Sequence, residues 1–376
     1  MRVAIVRRAP NTSISMDVYA DGLVSGLKTV CPDWDIVELR PQTSAAGGGI
    51  TQKLGKYFEQ YWHYPKTIKQ HQADIFHIID HSDGHLARWL ASVPVVATCH
   101  DLINFLQPEN ASHQAALPML SSARWRYSVK GLQAADHVVT VSAHTAKDVT
   151  KLLDISADDL TVVHNAVGAA FKPLAPKLSE TVFQQYDIPN DRFYLLNVGS
   201  SQPRKNITTI LNALAQLVSQ QEITSSLPLI HLIKAGADFT VEQKSLIERN
   251  HLQGYITHVK KPDTETLVKL YNAANVLVAP SLYEGFGITI LEAMACGTPV
   301  ITANSSSLPE VAGNAALMVD PRDEDELVAA ISSLRNDQSL QEKLVSRGLE
   351  RTQSYTWANT AEQVACVYES VLQEKS

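Results

Sequence analysis

The sequence reads as an α/β protein of two domains, each built on a doubly wound parallel sheet. Three observations lead there. Short β-branched runs alternate with longer helical patterns through most of the chain, the rhythm of βαβ units. The alternation pauses at Asn165–Leu178, a stretch with Gly168, Pro173 and Pro176 that reads as a linker, and then restarts. At 376 residues and 45% hydrophobic, the chain is also long for a single core.

In the first half, strands are expected at Val3–Val6, Asp35–Leu39, Ile75–Ile79, Val93–Thr98, His137–Val141 and Leu160–Val163. Helices are expected between them at Met16–Lys28, Thr51–Gln70, Pro118–Ala134 and Ala143–Leu153. Ser44–Gly49 reads as a surface loop. The second half offers strands at Tyr194–Val198, Leu229–Ile233, Ile256–Lys260, Asn275–Ala279 and Pro299–Thr302. Its helices are Ile207–Val218, Val241–Arg249, Thr264–Ala273 and Ile288–Ala295. Domains of 1–170 and 171–356 follow, facing each other across a cleft between the carboxyl edges of two sheets, where ligands of open α/β sheets bind.

Composition narrows the function. A net charge of -7 argues against a protein that binds nucleic acid with its whole surface and leaves room for a local basic cleft. Cys31, Cys99, Cys296 and Cys366 are scattered without a C-x-x-C pair and read as reduced, buried residues of a cytoplasmic protein. The opening apolar run is too short for a signal peptide, and no segment reaches the length of a membrane span. On Thr51–Gln70, the cations Lys53, Lys56, Lys66 and Lys69 lie among Tyr57, Phe58, Tyr61 and Trp62. An ordinary core-packed helix is the plainer reading. A stripe making peripheral contact at the inner face of a membrane is the other.

The densest chemistry lies in Pro280–Val300. A strand end is followed by a turn with Gly285 and Gly287, then by a helix starting at Ile288. Glu284 falls in the turn and Glu292 in the helix's second turn. The helix start is an anion site and the carboxylates accept hydrogen bonds from hydroxyls, which suits a ligand with both a phosphate and hydroxyl-rich parts. Gly199–Asn206 also joins a strand to a helix, and its Arg204 and Lys205 stand at a helix N-terminus, where cations are misplaced unless an anion binds. The plainer reading is a solvated basic turn capped by Asn206.

Other constellations are weaker. His100-Asp101 after a strand has the makings of an acid/base or substrate contact, or of a turn histidine capped by its own aspartate. Asp80–His85 carries two histidines but not the H-E-x-x-H pattern; it reads as a loop lining an acceptor side, and no metal is expected there. Gly285-x-Gly287 lacks the third glycine of a dinucleotide fingerprint, and Ser142 and Ser281 lack a G-x-S-x-G elbow.

Glu284–Val300 with Pro203–Asn206 resembles the donor site of retaining glycosyltransferases of family 4, which have the GT-B architecture. Val139–Asp148, Val162–Asn165, Ser306–Pro321 and Tyr355–Trp357 resemble that family too, so the likeness covers most of the chain from about His100 on. It implies transfer of a hexose from a GDP- or UDP-linked sugar to a hydroxyl acceptor, with no metal and no separate cofactor. It further implies that Glu292 holds the ribose and Glu284 the donor sugar, and that Arg204 and Lys205 grip the diphosphate. Gly199, Gly285, Phe286, Gly287, Ile288 and Thr289 line the donor, and His100 sits near the reacting sugar. Trp357 marks the return of a closing helix, 357–376, to the first domain. One departure stands out. The Gly-rich loop usual after the first strand is replaced by Arg7–Ser15, which assigns Arg7, Arg8 and Asn11, with Asp101, to a polar or anionic acceptor. A GT-B sugar-nucleotide epimerase and a silent nucleotide-sugar-binding protein share these features. A Rossmann oxidoreductase is disfavoured by the missing glycine.

Overall fold

The computed structural model describes residues 1–9, 12–41, 55, 58–106, 118–221 and 228–375. The chain forms two compact units, Met1–Ala166 with Thr356–Ser376, and Val167–Tyr355. The Val167 amide donates to the Tyr355 carbonyl at 3.1 Å, so both ends of the second unit are tied together.

The first unit holds six parallel strands: β1 (Arg2–Val6), β2 (Asp35–Leu39), β3 (Ile75–Ile78), β4 (Val95–Cys99), β5 (His137–Thr140) and β6 (Leu160–Val162). Their order is β2-β1-β3-β4-β5-β6, so the sheet winds outward in opposite directions from β1 and β3. Val3–Val6, Ile75–Ile78 and Val95–Cys99 are buried throughout, as expected of strands covered on both faces.

One cover is the helix Ile14–Val30, which packs on Trp357–Glu374. Gly22 and Gly26 make this contact possible. A Cβ at Gly22 would fall 2.1 Å from the Trp357 ring, and one at Gly26 would fall 2.4 Å from the Trp357 carbonyl oxygen. The closing helix thereby completes the core, placing Ala361, Val364, Tyr368 and Val371 against Leu23, Leu27, Ile75 and Val139.

Two first-half elements differ from expectation. Within Thr51–Gln70, residues 51–54 and 56–57 lie outside the described residues, and the rest is a π-turn, Glu59–His63, running into Tyr64–Lys69. Ser44–Gly49 is likewise outside. The expected helix Pro118–Ala134 tightens to a 3-10 turn at Lys130–Ala134, because Gly131 lies against Gly84: a Cβ on Gly131 would be 2.4 Å from the Gly84 backbone.

The second unit also holds six parallel strands: β7 (Arg192–Gly199), β8 (Leu229–Gly236), β9 (Ile256–Lys260), β10 (Val276–Ala279), β11 (Val300–Ala303) and β12 (Leu317–Val319). Their order is β12-β11-β10-β7-β8-β9. The winding therefore reverses between β7 and β10, and the crevice outside their carboxyl ends is where such a sheet binds ligands. Apolar residues from β7, β8 and β10 pack under Ile207–Gln221 and Glu324–Asn336, including Leu195, Leu232, Val278, Leu214 and Ile331. Among the described residues, no helix is long and apolar enough to cross a membrane.

Candidate functional site

The loops after β7 and β10 meet at this reversal. Gly199 ends β7 with φ +129° and Gly236 ends the neighbouring β8 with φ +114°. A Cβ on Gly236 would lie 2.5 Å from the Gly199 carbonyl oxygen, so a side chain there would force the strand ends apart. Pro203–Lys205 then forms a single 3-10 turn closed by Asn206 at φ +56°. The Asn206 amide donates to the carbonyls of Pro280, at 3.0 Å, and Pro321, at 2.6 Å. Asn206 thus ties three loops together, a role beyond the helix cap expected of it.

Glu284 is buried and faces both cations. Arg204 donates to its Oε2 at 2.8 Å and Lys205 Nζ to its Oε1 at 2.5 Å. Burial pushes the Glu284 carboxyl up, but the charges of Lys205 and Arg204 outweigh it and hold the group below the usual carboxylate range. The backbone around Glu284 is fixed from the loop after β11. Ser306 Oγ accepts from the Glu284 amide at 3.0 Å, and Ser307 Oγ donates to the carbonyls of Glu284 and Phe286, both at 2.9 Å. Ser305 Oγ donates to the Ser281 carbonyl at 3.0 Å. The sequence reading gave these three serines no role, although a Ser-Ser-Ser run directly after a strand was the available signal.

Gly287, at φ +96°, turns the chain into the helix Ile288–Ala295, and a Cβ there would lie 2.7 Å from Leu308. Gly285, Phe286, Ile288 and Thr289 therefore flank a helix start that carries partial positive charge. In its second turn Glu292 accepts from the Tyr271 hydroxyl at 2.7 Å. Burial pushes the Glu292 carboxyl up to about 7, against the Tyr271 bond and the Lys205 charge. Lys205 thus acts on both glutamates, and the structure brings Gly199, Arg204, Lys205, Glu284 and Glu292 to one sheet edge. Two carboxylates, two cations and a helix start in this arrangement can hold a ligand bearing both phosphate and hydroxyl groups.

The first unit carries His100, at the end of β4. Its Nε2 donates to the Ile79 carbonyl at 2.8 Å, its amide donates to His81 Nδ1 at 3.3 Å, and the Tyr19 ring meets it edge-on at 4.7 Å. Burial holds its pKa below the usual histidine value, so it is neutral with Nδ1 as its acceptor nitrogen. Asp101 Oδ1 accepts from the Ile103 amide at 3.1 Å, a local turn cap.

Three expectations need correction. Arg7 is not presented to an acceptor: only 2% exposed, its guanidinium donates to Asp21 at 2.7 Å, Glu38 at 2.5 Å and Asp17 at 3.4 Å. Asn11 lies outside the described residues. Asp80–His85 is not a loop: Asp80 accepts from the Ser82 amide at 2.8 Å and caps the 3-10 helix His81–Trp89, while Arg8 pairs with Asp80 at 3.0 Å. His85 is spent on Ser128 and the Gln60 carbonyl, both at 3.2 Å. Among the described residues, no three His, Cys, Asp or Glu side chains are grouped to hold a metal. Finally, Cys366 is exposed and Cys31 half-buried; Cys99 and Cys296 are buried as expected.

Comparison with known proteins decides the family. Glycosyltransferase Family 4 matches residues 29–171 and Glycosyl transferases group 1 matches residues 179–351. An O-antigen chain mannosyltransferase B from Escherichia coli is 34% identical over 273 residues, which take in 73% of this chain and 69% of that protein. The chain is a family 4 glycosyltransferase of the mannosyltransferase-like group. A serotype-specific mannosyltransferase WbdA, also from Escherichia coli, is 26% identical over 312 residues, or 77% of this glycosyltransferase but only 36% of the relative; the chain spans about a third of that protein's length. A sucrose-phosphate synthase from Thermosynechococcus elongatus matches the glycosyltransferase with a TM-score of 0.78 at 22% identity over 100% of both chains. The fold is GT-B, with two Rossmann-like, doubly wound units.

Proposed function

We propose that this glycosyltransferase moves a hexose, with mannose favoured by its named relatives, from a GDP- or UDP-linked donor to a hydroxyl of a glycan, with retention and without a metal. The observation that carries the reading is Glu284 held between Arg204 and Lys205 at the β7/β10 reversal, beside the start of Ile288–Ala295. Cations and a helix start at one sheet edge favour a diphosphate. Glu292 takes the ribose hydroxyls, Glu284 takes hydroxyls of the sugar, and the backbone of Gly285–Thr289 lies along sugar and phosphate.

In the reaction the bond between the anomeric carbon and the diphosphate oxygen breaks. The acceptor hydroxyl bonds to the same face of that carbon, and its proton passes to the departing phosphate. Arg204, Lys205 and the helix start stabilise charge growing on the diphosphate, a fixed electrostatic contribution that needs no reorganisation. His100, neutral and fixed through Ile79, is the substrate contact proposed on the first unit. The outward face of the helical segment from Phe58 to Lys69 contributes peripheral contact with a membrane. Phe58 is 61% and Trp62 50% exposed, Lys66 Nζ lies 4.3 Å over the Trp62 ring, and Tyr64, Pro65 and Ile68 face the core.

The test is release of nucleoside diphosphate from GDP-mannose and UDP-glucose with a glycan acceptor, with and without EDTA, and the anomeric configuration of the product by NMR. An α-linked product from an α-linked donor, unaffected by EDTA, supports the reading. An inverted product, or full turnover after Glu284→Ala, refutes it.

A further inference from the structure

One buried cation at the donor edge has no role in the reading so far. Lys234, on β8, is 0% exposed. Its Nζ donates to the Gly199 carbonyl at 2.7 Å and to the Ala235 carbonyl at 3.3 Å. Neither partner is charged, and its cross-strand neighbour on β7 is the neutral Asn197. A buried ammonium with only carbonyl partners is costly, which calls for a use. Burial and the like charge of Lys205 pull its pKa down to about 8.

Gly199 is the link. Lys205 Nζ lies 3.6 Å from the point where a Gly199 Cβ would be, and Lys234 holds the same residue's carbonyl. The Ala237 amide also donates to that carbonyl, at 3.1 Å. Two ammonium groups thus flank one glycine, whose turn leads directly into Arg204 and Lys205. Of these three cations, Arg204 and Lys205 share one carboxylate, Glu284, and Lys234 pairs with none among the described residues. The edge carries more positive charge than its ionised partner neutralises.

We propose that Lys234 is a positioning residue for the donor diphosphate: it pins the Gly199 carbonyl, so setting the turn that aims Arg204 and Lys205, and adds positive charge beneath them. This rests on the reading of the site as a nucleoside-diphosphate-sugar site, and extends it to a strand where the family likeness assigns nothing.

The test compares wild type, Lys234→Met and Lys234→Gln by calorimetry with GDP, UDP, ADP and dTDP, and by steady-state kinetics. Folding of each variant is checked by circular dichroism and melting temperature. Lys234→Met is expected to weaken binding of the preferred diphosphate by at least tenfold and to raise donor KM by a similar factor, with acceptor KM unchanged. Lys234→Gln, which keeps an N–H donor but carries no charge, is expected to fall between Met and wild type. Either variant, folded and with wild-type diphosphate affinity and donor KM, overturns the inference. Wild-type protein that binds none of the four diphosphates overturns the donor reading itself, and the inference with it.

Discussion

Replacing Glu284 with Gln separates the ion pairing that the structure shows from the sugar contact proposed for the same carboxylate. Glu284 partners Arg204 and Lys205, with side chains only 11%, 20% and 15% exposed. Charge-assisted bonds of this kind contribute about 1.5–3 kcal/mol each, and removing one member of a buried ion pair costs about 3–5 kcal/mol. Gln keeps the shape and one acceptor oxygen, which places the loss near the lower end, about 3 kcal/mol. At about 2–4 °C per kcal/mol for a unit of this size, melting should fall by about 6–12 °C. The same change frees both cations for a ligand. Binding of the nucleoside diphosphate alone should therefore hold or tighten, while transfer falls by at least about a hundredfold, equivalent to about 2.7 kcal/mol of transition-state stabilisation. Differential scanning calorimetry with and without diphosphate, together with turnover, measures both. If Glu284→Gln lost diphosphate affinity tenfold while keeping turnover, the assignment of Glu284 to the sugar and of the cations to the diphosphate would be wrong.

Three further outcomes follow from the geometry. Because the folded protein holds the Glu292 proton up to about pH 7, stability should decline as pH rises from the ordinary glutamate value to about 7, by at most about 3 kcal/mol. If Glu292 takes the ribose as proposed, donor KM should fall over that range as the carboxylate ionises, and Tyr271→Phe, which removes a bond favouring the ionised form, should move the KM profile to higher pH; an unmoved profile counts against the pairing. Arg7→Met should destabilise the protein by about 2–4 kcal/mol in urea unfolding by removing the buried charge that Asp17, Asp21 and Glu38 share, yet leave acceptor KM unchanged, and a raised acceptor KM would restore Arg7 to the acceptor site. Gly22→Ala tests the helix contact through the sign of its effect: propensity alone stabilises by about 1 kcal/mol, whereas a Cβ 2.1 Å from the Trp357 ring should destabilise by about 1–3 kcal/mol, as read from melting.

Much of the fold was legible because its signals are local. Asp35–Leu39 and Ile256–Lys260 fall as their β-branched patterns predict, and Ala143–Leu153 and Ile288–Ala295 span the residues their patterns predict. The candidate site was legible for a related reason: Arg204, Lys205, Glu284 and Glu292 lie in two short segments, each a strand end running into a helix. What escaped depends on residues far apart in sequence. Arg7 was assigned to an acceptor because nothing nearby in the chain marks Asp21 and Glu38 as its partners. Lys234 looks like one lysine in an apolar run until β8 is laid beside β7. The glycine in Asp80–His85 suggests a loop; in the 3-10 helix it instead leaves room for the Ser128 carbonyl and Leu132, which a Cβ on Gly84 would meet at 2.9 and 3.1 Å.

The closing helix has a consequence for how this protein is made. Residues 167–355 complete the second unit before Trp357 is synthesised, whereas the first unit is left with an open apolar face until Ala361, Val364, Tyr368 and Val371 arrive. The core of the first unit therefore closes only with residues translated last. The segment translated first waits longest for its last core residues. A stop codon just before Trp357 would spare the sheet that carries Glu284 and Glu292 while leaving the sheet that carries His100 uncovered, a lesion far from either site in sequence that would present itself as aggregation of newly made chains.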